Sequence, residues 1–221
     1  MLRAVIFDFD GTLADTVSAI REGVNLTMRK YGFAEHTHDQ IRSYINNGAR
    51  MLIKRAMPSE EREDEALVDR VLADYDELYG TVYMHTDRAY DGVAELIGEL
   101  HRSGLRIGVL SNKQDLFVKR LAEQVLLPNS FDAAQGVIAG QPTKPHPYLA
   151  GRLFEALGVS PEECVMVGDS DVDILTAKAA GMRHIGVSWG FRTREQLLAS
   201  GATAVADTPR ELRRMLLAMQ A

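Results

Sequence analysis

The chain contains 221 residues with a formal net charge of −6, and hydrophobic residues make up 46% of it, an ordinary composition for a folded globular protein. The acidic balance disfavours nucleic acids and anionic membranes as partners, because both attract clustered positive charge. Cys164 is the single cysteine, no run reaches the ~18 apolar residues of a membrane span, and Asp8 and Asp10 interrupt any signal-peptide core, so we expect a cytoplasmic protein without disulfides.

Short β-branched runs alternate with helical patterns along most of the chain. The predicted strands are, in chain order, Arg3–Phe7, Leu105–Leu110, Cys164–Val167, His184–Val187 and Ala202–Ala206. The predicted helices that follow the first two strands are Asp115–Leu126, Pro147–Leu157, Asp171–Ala180, Thr193–Ala199 and Pro209–Met219. This alternation predicts an α/β fold with a doubly wound parallel (Rossmann-like) sheet.

A helical segment is inserted between the first two strands, since residues 8–104 far exceed the ~30 residues of a whole βαβ unit. Apolar residues recur at helical spacing from Val17 to Tyr31, and Thr37–Gln40 has the form of a capping box ahead of a second helix. Pro58 ends a third helical pattern, and Leu67–Val82 carries a fourth. We therefore predict an all-helical domain over residues 15–88, within an α/β domain formed by residues 1–14 and 89–221.

Three of the predicted strands end in clusters of polar residues. Ligands of open α/β sheets bind beyond the carboxyl ends of the strands, so we expect the three clusters to converge on one crevice. The clusters are Asp8-Phe9-Asp10-Gly11-Thr12, Ser111-Asn112-Lys113 and Gly168-Asp169-Ser170-Asp171-Val172-Asp173.

Asp8 and Asp10 stand at positions i and i+2, so an extended backbone points both carboxylates to the same side. Adjacent like charges require that one be protonated or that a cation neutralise them. Either arrangement suits catalysis, with an ionised nucleophile beside a protonated general acid. Gly11 allows the backbone to approach an anion and Thr12 offers a hydroxyl, although an ordinary Asp-Gly turn explains the same residues.

The third cluster suits a metal ion, because carboxylate oxygens are the hard ligands that Mg²⁺ prefers. Asp169 stands directly at the strand end and is the better candidate ligand, with Asp173 close by. Asp171 is interpreted as an acid at the start of the following helix.

Phosphate-binding candidates come from two further places in the sequence. Ser111 and Asn112 either cap the following helix or hold a phosphate oxygen at its N-terminus. Lys144 lies in a loop stiffened by three prolines, and its point charge suits phosphate.

Four motifs in this order resemble those of the haloacid dehalogenase-like hydrolases, and the resemblance spans essentially the whole chain. The helical insertion resembles the small α-helical cap of that family, and finer matches at Asn47-Gly48-Ala49 and Ser188-Trp189-Gly190-Phe191 resemble its phosphoglycolate phosphatase-like branch. Tyr90-Asp91-Gly92-Val93 departs from the commoner Pro-Gly-Val of that branch. The four motifs, in chain order, on which this resemblance rests are Asp8-Phe9-Asp10-Gly11-Thr12-Leu13, Ser111-Asn112-Lys113, Lys144-Pro145 and Gly168–Asp173.

The resemblance implies a division of labour among the candidate residues. Asp8 would attack phosphorus and form an aspartyl phosphate, while Asp10 would protonate the leaving group and then deprotonate the attacking water. Further roles implied by the family are Mg²⁺ binding by Asp8, the Asp10 carbonyl and Asp169, with Asp173 nearby, and phosphate binding by Ser111, Asn112 and Lys144.

The expected activity is therefore Mg²⁺-dependent hydrolysis of a small phosphate monoester similar to phosphoglycolate. The alternatives are a phosphosugar mutase of the β-phosphoglucomutase type, a phosphatase for another small metabolite or pyrophosphate, and a non-catalytic binding module. Arg50 follows Asn47-Gly48-Ala49, and either pairs with the carboxylate of phosphoglycolate or belongs to an ordinary helix surface. Nothing in the sequence indicates an oligomeric state.

Overall fold

The structure, a computed structural model, describes residues 1–45, 47–86, 88–124 and 130–220. The chain divides into two compact units. Met1–Asp15 and Ala89–Ala221 form the first, here called the sheet unit, and Thr16–Arg88 form the second, the helical unit. The predicted domain boundaries differ from this division only at residue 15.

The described residues form eight strands and ten α-helices. The strands are β1 Ala4–Phe7, β2 Ala14–Asp15, β3 Arg88–Ala89, β4 Arg106–Gln114, β5 Ala133–Val137, β6 Cys164–Gly168, β7 Arg183–Val187 and β8 Val205–Ala206. The helices are α1 Val17–Lys30, α2 His38–Tyr44, α3 Gly48–Ala56, α4 Glu65–Thr86, α5 Val93–Arg102, α6 Asp115–Gln124, α7 Tyr148–Leu157, α8 Asp171–Ala180, α9 Arg194–Ala199 and α10 Pro209–Ala218.

The sheet unit contains a six-stranded parallel sheet in the order β5-β4-β1-β6-β7-β8, which confirms the predicted doubly wound fold. β1 lies in the middle, and its last residue, Phe7, is in register with Val109 of β4 and Val167 of β6. All residues of β1 and β6 are buried, as expected for central parallel strands covered by helices on both faces. The segments that follow Phe7, Val109 and Val167 therefore begin side by side.

Several elements differ from the prediction. β4 continues through Gln114 instead of ending at Leu110, and a register shift against β5 lies within this extension. β5 and α5 were not predicted, and the predicted strand Ala202–Ala206 is reduced to β8. The predicted helix from Asp115 is present as α6 up to Gln124, and its last two predicted residues, 125 and 126, lie outside the described part of the chain.

The helical unit contains α1 to α4, and its core is formed between α1 and α4. Gly23 of α1 lies so close to α4 that a Cβ there would stand 3.0 Å from Cδ2 of Tyr79. The predicted capping box begins α2, where Thr37 and Gln40 exchange hydrogen bonds. Among the described helices of the whole chain, none is both long and apolar enough to cross a membrane.

Candidate active site

Asp8 and Asp10 follow β1 on either side of the fully buried Phe9. The N–H of Asp8 donates to the carbonyl of Val167 at 2.9 Å, so the pairing of β1 with β6 extends to this residue. Burial of the intervening Phe9 agrees with two carboxylates that point the other way. Asp8 is 9% exposed, so its carboxylate is almost fully removed from water.

Gly11 and Thr12 form the turn that brings this loop against Asp169. The Gly11 N–H donates to the Ala14 carbonyl at 2.9 Å, and the Thr12 hydroxyl donates to Oδ1 of Asp169 at 3.3 Å. Gly11 has a φ of +80°, and a Cβ there would stand 2.4 Å from Oδ2 of Asp169. The Gly11 N–H and the Thr12 hydroxyl, both predicted to contact phosphate, are thus hydrogen-bonded to other protein groups. Both residues shape the loop around Asp169.

Lys144 carries its positive charge between two carboxylates. Its Nζ lies 2.9 Å from Oδ1 of Asp8 and 2.7 Å from Oδ1 of Asp173, and its side chain is 2% exposed. Ser170 holds the other oxygen of Asp173, since its hydroxyl donates to Oδ2 at 2.6 Å. Lys144 therefore links the nucleophile candidate after β1 to the first turn of α8.

Asn112 fixes the backbone of Lys144. Its Nδ2 donates to the Lys144 carbonyl at 2.9 Å, and its Oδ1 accepts from the Lys144 N–H at 2.8 Å. The prediction that Ser111 and Asn112 cap the next helix is wrong, because both lie inside β4 and α6 begins only at Asp115. Asn112 positions Lys144, while Ser111 is buried in the part of β4 that continues beyond Val109.

The acids Asp8, Asp169 and Asp173 each place one carboxylate oxygen within 4.8 Å of the others. Oδ2 of Asp169 accepts a 2.7 Å hydrogen bond from the N–H of Phe191, a residue to which the sequence analysis gave no role. Asp171 occupies the first turn of α8 as predicted, outside this group.

Burial and like charges dominate the electrostatics of the three acids. Burial raises the pKa of Asp8 to about 7, Asp173 adds to the effect and Lys144 opposes it. Burial, with the charges of Asp173 and Asp8, raises the pKa of Asp169 well above its usual range. Burial alone would lower the pKa of Lys144, but the same two carboxylates outweigh it and the pKa of Lys144 is raised. Three acids thus face one cation, and hard oxygen ligands with excess negative charge fit a divalent cation such as Mg²⁺.

Lys113 is a second cation of the site, with a role that the sequence pattern does not indicate. Its Nζ lies 3.0 Å from Oδ1 of Asp10, with the two side chains 7% and 16% exposed. The contact depends on the continuation of β4 past Leu110, for which the sequence of the strand gives no periodic signal. Asp10 is therefore paired with its own lysine, apart from the contact between Lys144 and Asp8.

The structure gathers nine of the ten predicted site residues at the carboxyl ends of β1, β4 and β6 or in contact with those ends. Arg50 belongs to the helical unit, where its guanidinium on α3 pairs with Glu65 and Asp69 of α4. These ion pairs favour its interpretation as part of a helix surface. The nine gathered residues are Asp8, Asp10, Gly11, Thr12, Ser111, Asn112, Lys144, Asp169 and Asp173.

Comparison with known proteins gives a consistent result. The family model described as haloacid dehalogenase-like hydrolase matches residues 5–187. A phosphoglycolate phosphatase of Vibrio vulnificus is 33% identical over 215 residues, covering 96% of this chain and 94% of the relative. Phosphoglycolate phosphatase 1 of Pseudomonas aeruginosa is 31% identical over 213 residues, covering 95% of this chain and 78% of the relative.

Solved structures resemble the chain over nearly its full length. A Lactobacillus delbrueckii protein provisionally named a phosphoglycolate phosphatase has a TM-score of 0.89 at 30% identity, covering 97% of this chain and 98% of that one. The Rhodobacter sphaeroides protein CbbY, solved in complex with xylulose-1,5-bisphosphate, has a TM-score of 0.75 at 26% identity and covers 96% of each chain.

Proposed function

The chain belongs to the haloacid dehalogenase-like hydrolases, and from this membership we propose that it is a Mg²⁺-dependent phosphatase acting through an aspartyl phosphate on Asp8. The observation that carries the proposal is the contact between Lys144 and Asp8, 2.9 Å long and buried beside Asp169 and Asp173. A buried carboxylate held by a lysine at the end of a central strand is a nucleophile with a charge partner for phosphate.

In the first step, a carboxylate oxygen of Asp8 attacks phosphorus and the bond from phosphorus to the leaving oxygen breaks. Asp10 gives its proton to that leaving oxygen, so an alcohol departs. In the second step, Asp10 takes a proton from water while the water oxygen attacks phosphorus and the bond to Asp8 breaks. The products are an alcohol and inorganic phosphate, with Asp8 and Asp10 returned to their starting states.

The other residues bind and orient the phosphoryl group. Lys144 is charged and contacts Asp8, so it would meet the phosphate oxygens next to the nucleophile. The Ser111 hydroxyl, in the part of β4 beyond Val109, would donate to another oxygen, and Asn112 keeps the Lys144 backbone in place.

The metal would be held by Asp8 and Asp169, with the Asp10 carbonyl as the further ligand implied by the family and Asp173 close by. When bound, Mg²⁺ offsets the charge of the carboxylates and of the transferring phosphoryl group. The excess negative charge of the buried acids supports this assignment.

For the substrate we propose phosphoglycolate or a phosphate ester of similar size, supported by the activity named for the relatives. A sugar bisphosphate is the second candidate, supported by the likeness to CbbY. We also propose a cytoplasmic location, in keeping with Cys164 as a buried free thiol.

The test is a panel of phosphate esters with Mg²⁺, in which released phosphate is measured. The panel holds phosphoglycolate, xylulose-1,5-bisphosphate, β-glucose 1-phosphate, pyrophosphate and p-nitrophenyl phosphate. We expect one equivalent of phosphate per phosphate monoester consumed and the highest kcat/KM for phosphoglycolate. Isomerised sugar phosphate without release of phosphate would identify a mutase, and binding without turnover of any ester would identify a binding module.

A further inference from the structure

We infer that the loop Ser188–Phe191, here called the tryptophan loop, holds Asp169 and the turn after β1 in the arrangement that binds the divalent cation, with Trp189 and Gly190 as positioning residues. The inference rests on the metal site of the proposed function and concerns residues to which that function gives no part.

The tryptophan loop donates hydrogen bonds both to the turn after β1 and to Asp169. The indole Nε1–H of Trp189 donates to the carbonyl of Thr12 at 3.0 Å, in the turn after β1. Two residues later, the N–H of Phe191 donates to Oδ2 of Asp169 at 2.7 Å. One short segment therefore fixes the carboxylate after β6 and the turn that follows the nucleophile candidate.

Thr12 closes this network from the other side. Its hydroxyl donates to Oδ1 of Asp169 at 3.3 Å, so both oxygens of this carboxylate are held by named donors. Asp169 is 1% exposed and faces the like charges of Asp8 and Asp173. A carboxylate restrained in this way keeps its orientation against repulsion, and the cation does not have to impose that orientation.

Gly190 makes the close approach possible. A Cβ at this position would stand 2.1 Å from the carbonyl oxygen of Gly11 and 2.5 Å from Cβ of Asp169. The first of these neighbours is backbone and the second is the root of a buried side chain, so neither can move aside cheaply. Any side chain at position 190 would therefore separate the tryptophan loop from Asp169.

The start of the loop is anchored to the edge of the sheet. The Ser188 N–H donates to the carbonyl of Ala206 in β8 at 3.1 Å, and the Ser188 hydroxyl donates to Oδ1 of Asp207 at 2.5 Å. The loop is thus tied to regular structure and can act as a rigid support for Asp169.

The experiment measures Mg²⁺ binding directly, by isothermal titration calorimetry on the full chain without substrate. Trp189→Phe removes the indole donor, and Gly190→Ala places a methyl group against Gly11. Both should weaken Mg²⁺ binding about 10- to 100-fold, the usual effect of losing a residue that orients a metal ligand. Gly151→Ala is the matched control, because Gly151 lies in α7 with no atom within 4 Å of an added Cβ, and its Mg²⁺ affinity should equal that of the wild type.

Thermal unfolding without Mg²⁺ accompanies each titration. A Trp189→Phe variant that unfolds cooperatively and binds Mg²⁺ as tightly as the wild type would overturn the inference, even if its melting temperature had fallen. If Gly190→Ala does not fold, the Mg²⁺ affinity of Trp189→Phe alone tests the inference. Failure of the wild type itself to bind Mg²⁺ would instead refute the metal site of the proposed function, so the two failures are distinguishable.

Discussion

Lys144 shows how much of this site depends on single side chains. A buried ammonium group is unfavourable by itself, and here the carboxylates of Asp8 and Asp173 compensate it on two sides. The same contacts bring a positive charge to the place where a phosphate would meet Asp8. One residue thus serves both the stability of the sheet unit and the chemistry proposed for it.

Asp8→Asn should abolish phosphate release while the fold is kept. The amide is nearly the same size as the carboxylate but cannot act as the nucleophile, so we expect a loss of at least about 10³-fold in kcat. Phosphate release and the circular dichroism spectrum are the measurements, and Asp91→Asn, at an exposed position, is the control. A well-folded variant with more than a few per cent of the wild-type rate would refute the aspartyl phosphate.

Lys144→Met should strongly destabilise the protein. The change leaves Asp8 and Asp173 as buried like charges without their shared partner, and removing one member of a buried ion pair costs about 3–5 kcal/mol. Denaturant unfolding without Mg²⁺ measures the effect. Lys119→Met is the comparison, since Lys119 pairs with Asp115 on an exposed helix surface and its loss should cost less than about 1 kcal/mol. Equal costs for the two variants would contradict the buried pairing.

His184 should make the protein less stable in mild acid. Burial lowers the pKa of His184, and its Nε2 is buried without a hydrogen-bond partner among the residues the structure describes. Below the usual value of 6.5 the unfolded chain therefore binds a proton at this histidine more readily than the folded one, so the contribution of His184 to stability falls as the pH decreases. The raised pKa values of Asp8 and Asp169 act in the opposite direction over the same range. The free energy of unfolding at about pH 7.5 and about pH 5.5 checks this.

In that experiment, His184→Gln should raise the free energy of unfolding at about pH 5.5, relative to that at about pH 7.5, compared with the wild type. His38→Gln, at an exposed histidine of the helical unit, should leave the difference between the two pH values as it is in the wild type. An unchanged pH dependence in His184→Gln would show that this ring does not contribute.

At the scale of elements, strands and helices with a strong hydrophobic pattern were predictable from the sequence. Elements that depend on pairing with a neighbouring strand were not. β1, β6 and α8 carry unbroken apolar or helical patterns and lie where the sequence predicted them. β5 reads Ala-Ala-Gln-Gly-Val and exists because it pairs with β4 at the edge of the sheet. α5 has apolar residues at helical spacing, so the sequence itself carries the signal for this helix.

The extension of β4 explains the errors within the site. Ser111 and Asn112 have the composition of a helix start, and only the pairing of β4 with β5 shows that the strand continues past them. The contact between Lys113 and Asp10, and the bonds between Asn112 and Lys144, follow from this tertiary arrangement. Residue types were therefore predictable at the site, while their partners were not.

In the helical unit, Arg50→Ala tests whether α3 contributes to substrate choice. The pairs with Glu65 and Asp69 on α4 are exposed to water, which weakens them, so we expect small, equal changes in kcat/KM for phosphoglycolate and p-nitrophenyl phosphate. Lys54→Ala, which removes another partner of Glu65, is the control. A fall of about 5- to 150-fold for phosphoglycolate alone would assign Arg50 to its carboxylate.

For the whole molecule, the order of the motifs along the chain carried more information than any one of them. Each motif has an ordinary structural explanation, and the sheet order is what places three of them beside one another. The fold class and the three acids could be predicted because parallel strands share a carboxyl edge. The donors from the tryptophan loop could not, because they come from a loop more than a hundred residues from β1 in sequence.

Mg²⁺ should stabilise the whole chain and be required for its activity. A cation that binds only the folded state raises the free energy of unfolding, by about 2.7 kcal/mol at one hundred times its dissociation constant. We expect a higher melting temperature with Mg²⁺, and loss of both this gain and phosphate release in excess chelator. Ca²⁺ should also raise the melting temperature without supporting turnover, because its looser coordination misplaces Asp8. Full activity in chelator would refute the requirement.

Trp189 is the single tryptophan of the chain, and it is bonded to the turn beside the candidate nucleophile. Indole absorption and fluorescence therefore report on one known point of the molecule. This point lies next to Thr12, in the same loop as the Phe191 N–H that bonds to Asp169. The protein thus carries its own optical probe beside the candidate active site, placed there by the fold without any label. Its emission offers a way to test, in rapid-mixing experiments on the unmodified protein, for the proposed uptake of a cation and the proposed phosphorylation of Asp8.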